Sequence, residues 1–317
     1  MKKGYVLFFM LLLNNTISLA VSGHTQYRFE ALKPLLNNYE RPWTYLELWA
    51  DQGELASKIA SKYNAVCIMT EFAQSDALFT LCKQNSVLKN LIAVKNDLSV
   101  QNLINLGDCE HVDFTFIPDV TSQYKEEWQE AIKAALNLGD YIAIEAPALS
   151  SVNHQQVASY LETKGGKLIA NPPAELKEVA GSIYLFSIHK KTLLRRYWQY
   201  QKEIRLGEYT IKSTFKEKKL IKEKLKPKEY VVTDWIPGIN LFTFKKLKGI
   251  WPERDAIIKM VLPFATIEHN DLRISNIIIQ GQKLVTIDGD GKGHENTAAQ
   301  LLPHLIEQLT WSTRLMD

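Results

Sequence analysis

From Trp43 to Lys190 the chain repeats one pattern: a short apolar run, a break, then a stretch with apolar residues at helical spacing. The runs Tyr45–Leu48, Ala65–Met69, Leu91–Val94, Val112–Ile117, Tyr141–Ile144, Lys167–Ala170 and Ser182–Ile188 predict seven strands. Gly53–Lys62, Glu126–Leu138 and His154–Thr163 predict amphipathic helices between them, and Gly107-Asp108 reads as a loop before the fourth strand. Strands alternating with helices build an open α/β sheet, and such a sheet takes its ligands at the carboxyl ends of its strands.

The composition fits a chain with a real core. Of 317 residues, 46% are apolar and 23% charged, which excludes a disordered, coiled-coil or polytopic membrane protein. Cys67, Cys82 and Cys109 are too few for a disulfide framework, and no Cys-x-x-Cys is present to hold zinc. The seven histidines are scattered, and no Gly-x-Ser-x-Gly marks a nucleophilic hydrolase. The net charge of +3 conceals an asymmetry: residues 190–249 carry 17 Lys and Arg against 6 Asp and Glu. A basic block beside an acidic remainder suggests two units and favours anionic ligands such as nucleotide phosphates. Its lysines read as a solvated face, so no nucleic-acid partner is expected.

At the amino end, Lys2 and Lys3 precede the apolar run Tyr5–Leu13, followed by the small residues Ser18 and Ala20. That is the layout of a secretory signal peptide, residues 1–20, and the run is too short to span a bilayer, which takes about 20 residues. An exported protein is expected, with no membrane span beyond this signal or anchor, and a cytoplasmic one if the segment is not a signal. Export pulls against the cofactors inferred below, which are cytosolic.

The string YLELWADQGELASKIA, with the order of strands around it, resembles the class I S-adenosylmethionine-dependent methyltransferase family from Trp43 to Lys190, within a methyltransferase-like domain expected over residues 27–190. Physically, a tight turn opening a helix lets backbone approach a cofactor. The resemblance makes Glu47 the acidic residue of the cofactor loop and Gly53 its last glycine, with Trp49 and Asp51 where the family has two more glycines. Glu71, closing the second strand, matches the carboxylate that holds the ribose hydroxyls. Asp97, after Asn96, matches the adenine-edge position, and Asp119 the place of polar substrate contacts.

Beyond residue 190 the pattern changes. Glu208–Phe215 and Tyr230–Val232 read as strands, Lys216–Lys226 as a charged helix and Pro252–Phe264 as another helix. The segment IEHNDLRISNIIIQGQKLVTIDGDG then reads His-x-Asp-x4-Asn, a glycine-turned hairpin, and Asp. It resembles the catalytic loop of the protein-kinase-like superfamily, nearer to small-molecule phosphotransferases than to protein kinases. The resemblance makes Asp271 the catalytic carboxylate and His269 the brace of its loop. It makes Asn276 and Asp288 ligands of a Mg2+ that bridges ATP phosphates. Asp234–Leu241 is similar to the adenine-holding hinge, and Lys212 is the best candidate for the phosphate-gripping lysine.

The expected fold is therefore α/β: a Rossmann-like seven-stranded methyltransferase-type sheet with a compact α+β kinase-like module at residues 191–317. The expected function is a methyltransferase-like protein with a fused kinase-like module, using S-adenosylmethionine on a small-molecule or saccharide acceptor. One alternative is Mg2+/ATP-dependent phosphotransfer to a small hydroxylated acceptor. Another is a catalytically inactive, exported binding protein.

Overall fold

The computed structural model describes residues 23–85, 88–110, 112–188, 197–198, 201–206, 209–213, 231–234, 236–266, 272–287 and 298–310. For Cys109, the strands between 197 and 234, and residues 265–266, 298–301 and 310 it describes the backbone alone. The segment read as a signal peptide lies outside the described residues.

Helix α1 covers residues 23–36. Strands β1 (Trp43–Glu47), β2 (Ala65–Glu71) and β3 (Leu91–Lys95) follow, separated by α2 (Glu54–Lys62) and α3 (Ser75–Gln84). Helix α4 (Val100–Cys109) leads to β4 (Val112–Ile117), and α5 (Val120–Tyr124) and α6 (Trp128–Ala135) lead to β5 (Gly139–Glu145). After α7 (His154–Thr163) come β6 (Lys167–Ala170) and β7 (Ile183–Ser187). Every run named above as a strand is one, with ends shifted by a residue or two. The Gly107-Asp108 loop is corrected: both residues lie inside α4. Ser99 caps that helix by accepting the Asn102 amide at 3.3 Å, and a single glycine costs a helix only about 1 kcal/mol.

β1 to β5 run parallel, while β7 is antiparallel to both its neighbours, β5 and β6. Successive residues of β1 feed different cores, Trp43 and Tyr45 on one face and Leu46 on the other. That is the pleat of a strand covered on both sides. The chain steps from β1 to β2 to β3 in one direction and then returns to place β4 on the other side of β1. The carboxyl ends of β1 and β4 therefore flank the topological switch point, where open sheets of this kind leave a crevice.

The later part of the chain begins with the antiparallel strands β8 (Tyr197–Trp198), β9 (Gln201–Leu206), β10 (Tyr209–Ser213) and β11 (Val231–Asp234). β12 (Ile239–Asn240), α8 (Leu241–Lys246), β13 (Gly249–Trp251), α9 (Arg254–Val261), β14 (Ile277–Ile279), β15 (Leu284–Thr286) and α10 (Ala298–Thr310) complete the described elements. β13 adds to the edge of the large sheet, antiparallel to β3, so that sheet has eight described strands. Ile239, Phe244, Ile277 and Leu305 share one hydrophobic cluster with Leu46, Ile68 and Val94 of the sheet. The Gly238 amide donates to Thr44 Oγ1 at 2.8 Å, joining β1 to the start of β12. Gly238 has φ 124, and a Cβ there would lie 2.2 Å from the Ile279 carbonyl oxygen, so glycine is required at this crossing.

Candidate site at the carboxyl ends of the strands

The turn that leaves β1 is the most unusual backbone in the described chain. Trp49, Asp51 and Gly53 have φ 48, 50 and 73, so alternate residues are left-handed. These are the three positions that the sequence resemblance aligned with a glycine-rich cofactor loop, and here only the last of them is glycine. Asp tolerates this region because its short polar side chain bonds locally; a tryptophan there is strained by about 1–2 kcal/mol. The turn is pinned by the Ala50 amide to the Thr70 carbonyl at 2.9 Å and the Gly53 amide to the Ala50 carbonyl at 2.7 Å. A Cβ on Gly53 would fall within 2.9 Å of Met69, Leu78 and Leu81, so the packing requires glycine here.

Glu71 closes β2 beside this turn. One of its oxygens accepts the amides of Phe72 at 2.8 Å and Ala73 at 3.0 Å, and the other accepts the Asp51 amide at 3.2 Å. A carboxylate has about four lone-pair sites, so the oxygen facing Asp51 has capacity for a further donor. The Asn96 amide bonds the Glu71 carbonyl at 3.1 Å, which brings the turn after β3 alongside. Asp97 is exposed there, and one of its oxygens accepts Asn102 Nδ2 at 2.7 Å. Phe72, next to Glu71, is 55% exposed, and the Lys95 ammonium lies over its ring 5.9 Å from the centroid. Sequence reading missed Phe72, because an exposed aromatic looks like any other residue at a strand end.

Trp49 does not reach into this surface. Its ring packs edge-on against Tyr124 of α5 with centroids 4.6 Å apart, and it is 8% exposed. Tyr124 in turn donates to the Leu98 carbonyl at 2.7 Å. On this side the crevice between β1 and β4 is thus walled by an aromatic pair. Asp119, at the end of β4, accepts the Ser122 amide at 3.3 Å and the Thr121 hydroxyl at 2.9 Å. Its carboxylate serves as the cap of α5.

On the other side of the turn lies a polar cavity of about 100 Å³. α1 lines it with His24, Thr25 and Arg28, and Glu47, Asp51 and Glu54 line it from β1, the turn and α2; Trp49 is not among its lining residues. Glu47 is almost wholly buried, its Oε2 has no hydrogen-bond partner, and burial pushes its pKa up to about 8 despite the neighbouring Arg28. Burial also raises the Asp51 pKa, with Glu71 as a second cause. Arg28 is itself committed: its Nε donates to Glu145 Oε2 at 2.8 Å, and His24 Nε2 contacts Glu145 Oε1 at 2.8 Å. Burial would raise the Glu145 pKa, but Arg28 and then His24 outweigh it and hold the carboxyl below its usual value. α1 is thereby clamped over the ends of β5 and β1. The sequence hid this clamp, because its partners are more than a hundred residues apart.

The kinase-like residues are placed only in part. His269, Asp271 and Asp288 lie outside the described residues, as does the helix expected over Lys216–Lys226. Lys212 lies on β10 opposite Val231 and Glu203, and its side chain is not described. The hairpin expected around Gly281 forms as β14 and β15. Asn276 is buried at its start, and its carbonyl accepts the Ile287 amide at 2.8 Å. Asn240 donates to the Ser275 carbonyl at 2.5 Å, so the hinge-like segment and the loop leading to Asn276 meet. Much of that segment's backbone is already bonded, however. The Pro237 carbonyl accepts Gln280 Nε2 at 2.9 Å, the Gly238 amide serves Thr44, and the Asn240 amide donates to Glu110 at 3.1 Å. Among the described residues no cluster of three or more His, Cys, Asp or Glu could hold a metal ion. No described helix is long and apolar enough to cross a membrane.

Neither a protein-family model nor a curated protein sequence matches the chain. Among solved structures, it is similar to the bifunctional kinase-methyltransferase WbdD, at 16% identity over 83% of this chain and 73% of that one, with a TM-score of 0.38. It is also similar to an O-methyltransferase family protein from Burkholderia thailandensis, at 11% identity over 51% and 57% of the two chains, with a TM-score of 0.38. Identities this low say nothing of activity.

Proposed function

We propose that the chain is a methyltransferase-type protein that binds S-adenosylmethionine at the carboxyl ends of β1, β2 and β3. The observation that carries this reading is the left-handed alternation at Trp49, Asp51 and Gly53, tied to Glu71 through the Asp51 amide. Strain of this kind persists where function needs the backbone conformation, since a free choice of turn would have relaxed it.

The donor set fits the cofactor. Glu71 retains an acceptor site for ribose hydroxyls, and the exposed Phe72 ring offers a stacking face for a purine. Asp97 is an exposed acceptor for an exocyclic amine. Glu47, buried with an unpartnered oxygen on the polar cavity, would accept a hydrogen bond from the ammonium of the zwitterionic amino-acid end. S-adenosylmethionine would supply an electrophilic methyl group on a sulfonium. The protein's own work is then to hold and align, which can suffice for transfer to a positioned nucleophile.

A second reading is favoured by the Trp49–Tyr124 wall: a methyltransferase-type scaffold whose cleft no longer admits a cofactor. Calorimetric titration of the full chain with S-adenosylmethionine, adenosine and methionine separates the two. Binding of S-adenosylmethionine that weakens at least about tenfold in Glu71→Ala supports the first. No heat with any of the three supports the second.

A further inference from the structure

A cavity that the proposed cofactor site leaves unused lies between α8, β13, α9 and α10, with a volume of about 270 Å³. Its floor is apolar: Leu241 and Phe244 from α8, Ile257 from α9 and Leu309 from α10. Its polar groups are of one sign. Lys245, Lys248 and Arg254 line it, and among the described residues no acidic side chain does. Glu253 and Asp255 flank Arg254 along α9 but are not among the lining residues.

The three cations are placed differently. The Lys245 ammonium turns inward and donates to the Gln308 carbonyl in the last turn of α10, and its partial burial lowers its pKa. Lys248 and Arg254 are exposed at the mouth and form no ion pair among the described residues. Lys248 is held there by its backbone: it has φ 56, and its carbonyl accepts the Lys95 amide at 3.2 Å where β13 joins the sheet.

We infer that this cavity binds an amphiphilic anion, its hydrocarbon body on Leu241, Phe244, Ile257 and Leu309 and its carboxylate or phosphate head between Lys248 and Arg254. The volume equals that of roughly nine waters at about 30 Å³ each, so it fits an apolar body of about eight to ten non-hydrogen atoms. An apolar floor alone would take any greasy molecule. Cations at the mouth with no acid among the lining residues select for negative charge, and exposed lysine and arginine do so in a salt-dependent way. The inference stands apart from the cofactor reading, because it uses none of the same residues.

The test is calorimetry on the full chain with decanoate, decyl phosphate, decanol and decyltrimethylammonium, each below its micelle-forming concentration. One-to-one binding of decanoate or decyl phosphate is expected, with decanol weaker by about tenfold or more and the cation not bound. Whichever anion binds tighter identifies the head group. The double variant Lys248→Glu, Arg254→Glu should lose about tenfold or more in affinity for the anion and little for decanol. Both positions are exposed, so its melting temperature should match that of the parent. Raising salt on the unmodified chain is an independent arm: it should weaken the anions and leave decanol unchanged. Equal binding of decanol and decanoate, an unaltered affinity in the charge-reversed variant, or binding to anionic vesicles without binding of the free anions would overturn the inference.

Discussion

The Asp51 amide donates to the Glu71 carboxylate at 3.2 Å, so the turn leaving β1 is tied to the end of β2. Glu71 spends its other oxygen on the amides of Phe72 and Ala73. One side chain thus fixes both turns that the proposed cofactor would touch. Glu71→Ala should lower stability by about 1–3 kcal/mol, the usual consequence of leaving such donors without their acceptor. Chemical denaturation of the two proteins measures it.

Gly53 and Asp51 share a backbone conformation but should respond oppositely to substitution. Gly53→Ala forces a Cβ toward Met69, Leu78 and Leu81 at φ 73 and should cost about 1–3 kcal/mol. Asp51→Gly removes a side chain from φ 50 and a charge from beside Glu71. It should leave stability unchanged or raise it by up to about 1 kcal/mol. Thermal unfolding of both variants decides; a destabilised Asp51→Gly would contradict this account of the turn.

Glu47 gives the fold a pH dependence of known sign. Its folded pKa of about 8 lies above the ordinary 4.5, so between those values the folded state binds a proton that the unfolded chain has released. Stability contributed by this group therefore falls as pH rises from about 4.5 to about 8 and levels off above. Glu47→Gln should flatten that slope, read from unfolding free energies across the range. An unchanged slope would mean that Glu47 ionises normally.

Glu145 behaves in the opposite sense, because Arg28 and His24 hold its pKa down. Its stabilisation is present above the ordinary carboxylate value and is lost as pH falls through the depressed one. Arg28→Leu leaves the 1%-exposed Glu145 without its main partner and should cost about 3–5 kcal/mol. Glu145→Gln should cost less, since the amide keeps hydrogen-bonding capacity without a buried charge. Denaturation of the two variants, with the double variant to close the cycle, measures the pair.

Local signals made the sheet legible. Ala65–Met69 and Tyr141–Ile144 are apolar runs of strand length, as expected of a sheet buried on both faces. α4 was hidden by Gly107-Asp108, a turn-like pair that here lies inside the helix. β13 was illegible: Gly249–Trp251 is three residues long, and its partner β3 lies more than 150 residues away. In the site, Glu71 and Gly53 are singled out by the resemblance of YLELWADQGELASKIA and the end of the second strand to a known cofactor loop, not by periodicity. The Arg28–Glu145 clamp and the Trp49–Tyr124 wall could not, because each joins segments that only the folded sheet brings together.

Thermal unfolding of the full chain with and without S-adenosylmethionine, in the parent and in Glu71→Ala, tests the central claim most directly. A ligand that binds only the folded form stabilises by mass action, by about 2.7 kcal/mol at 100 times its dissociation constant. The account predicts a concentration-dependent rise in melting temperature for the parent and little or none for Glu71→Ala. No rise in the parent at millimolar cofactor, or an equal rise in both proteins, would contradict it.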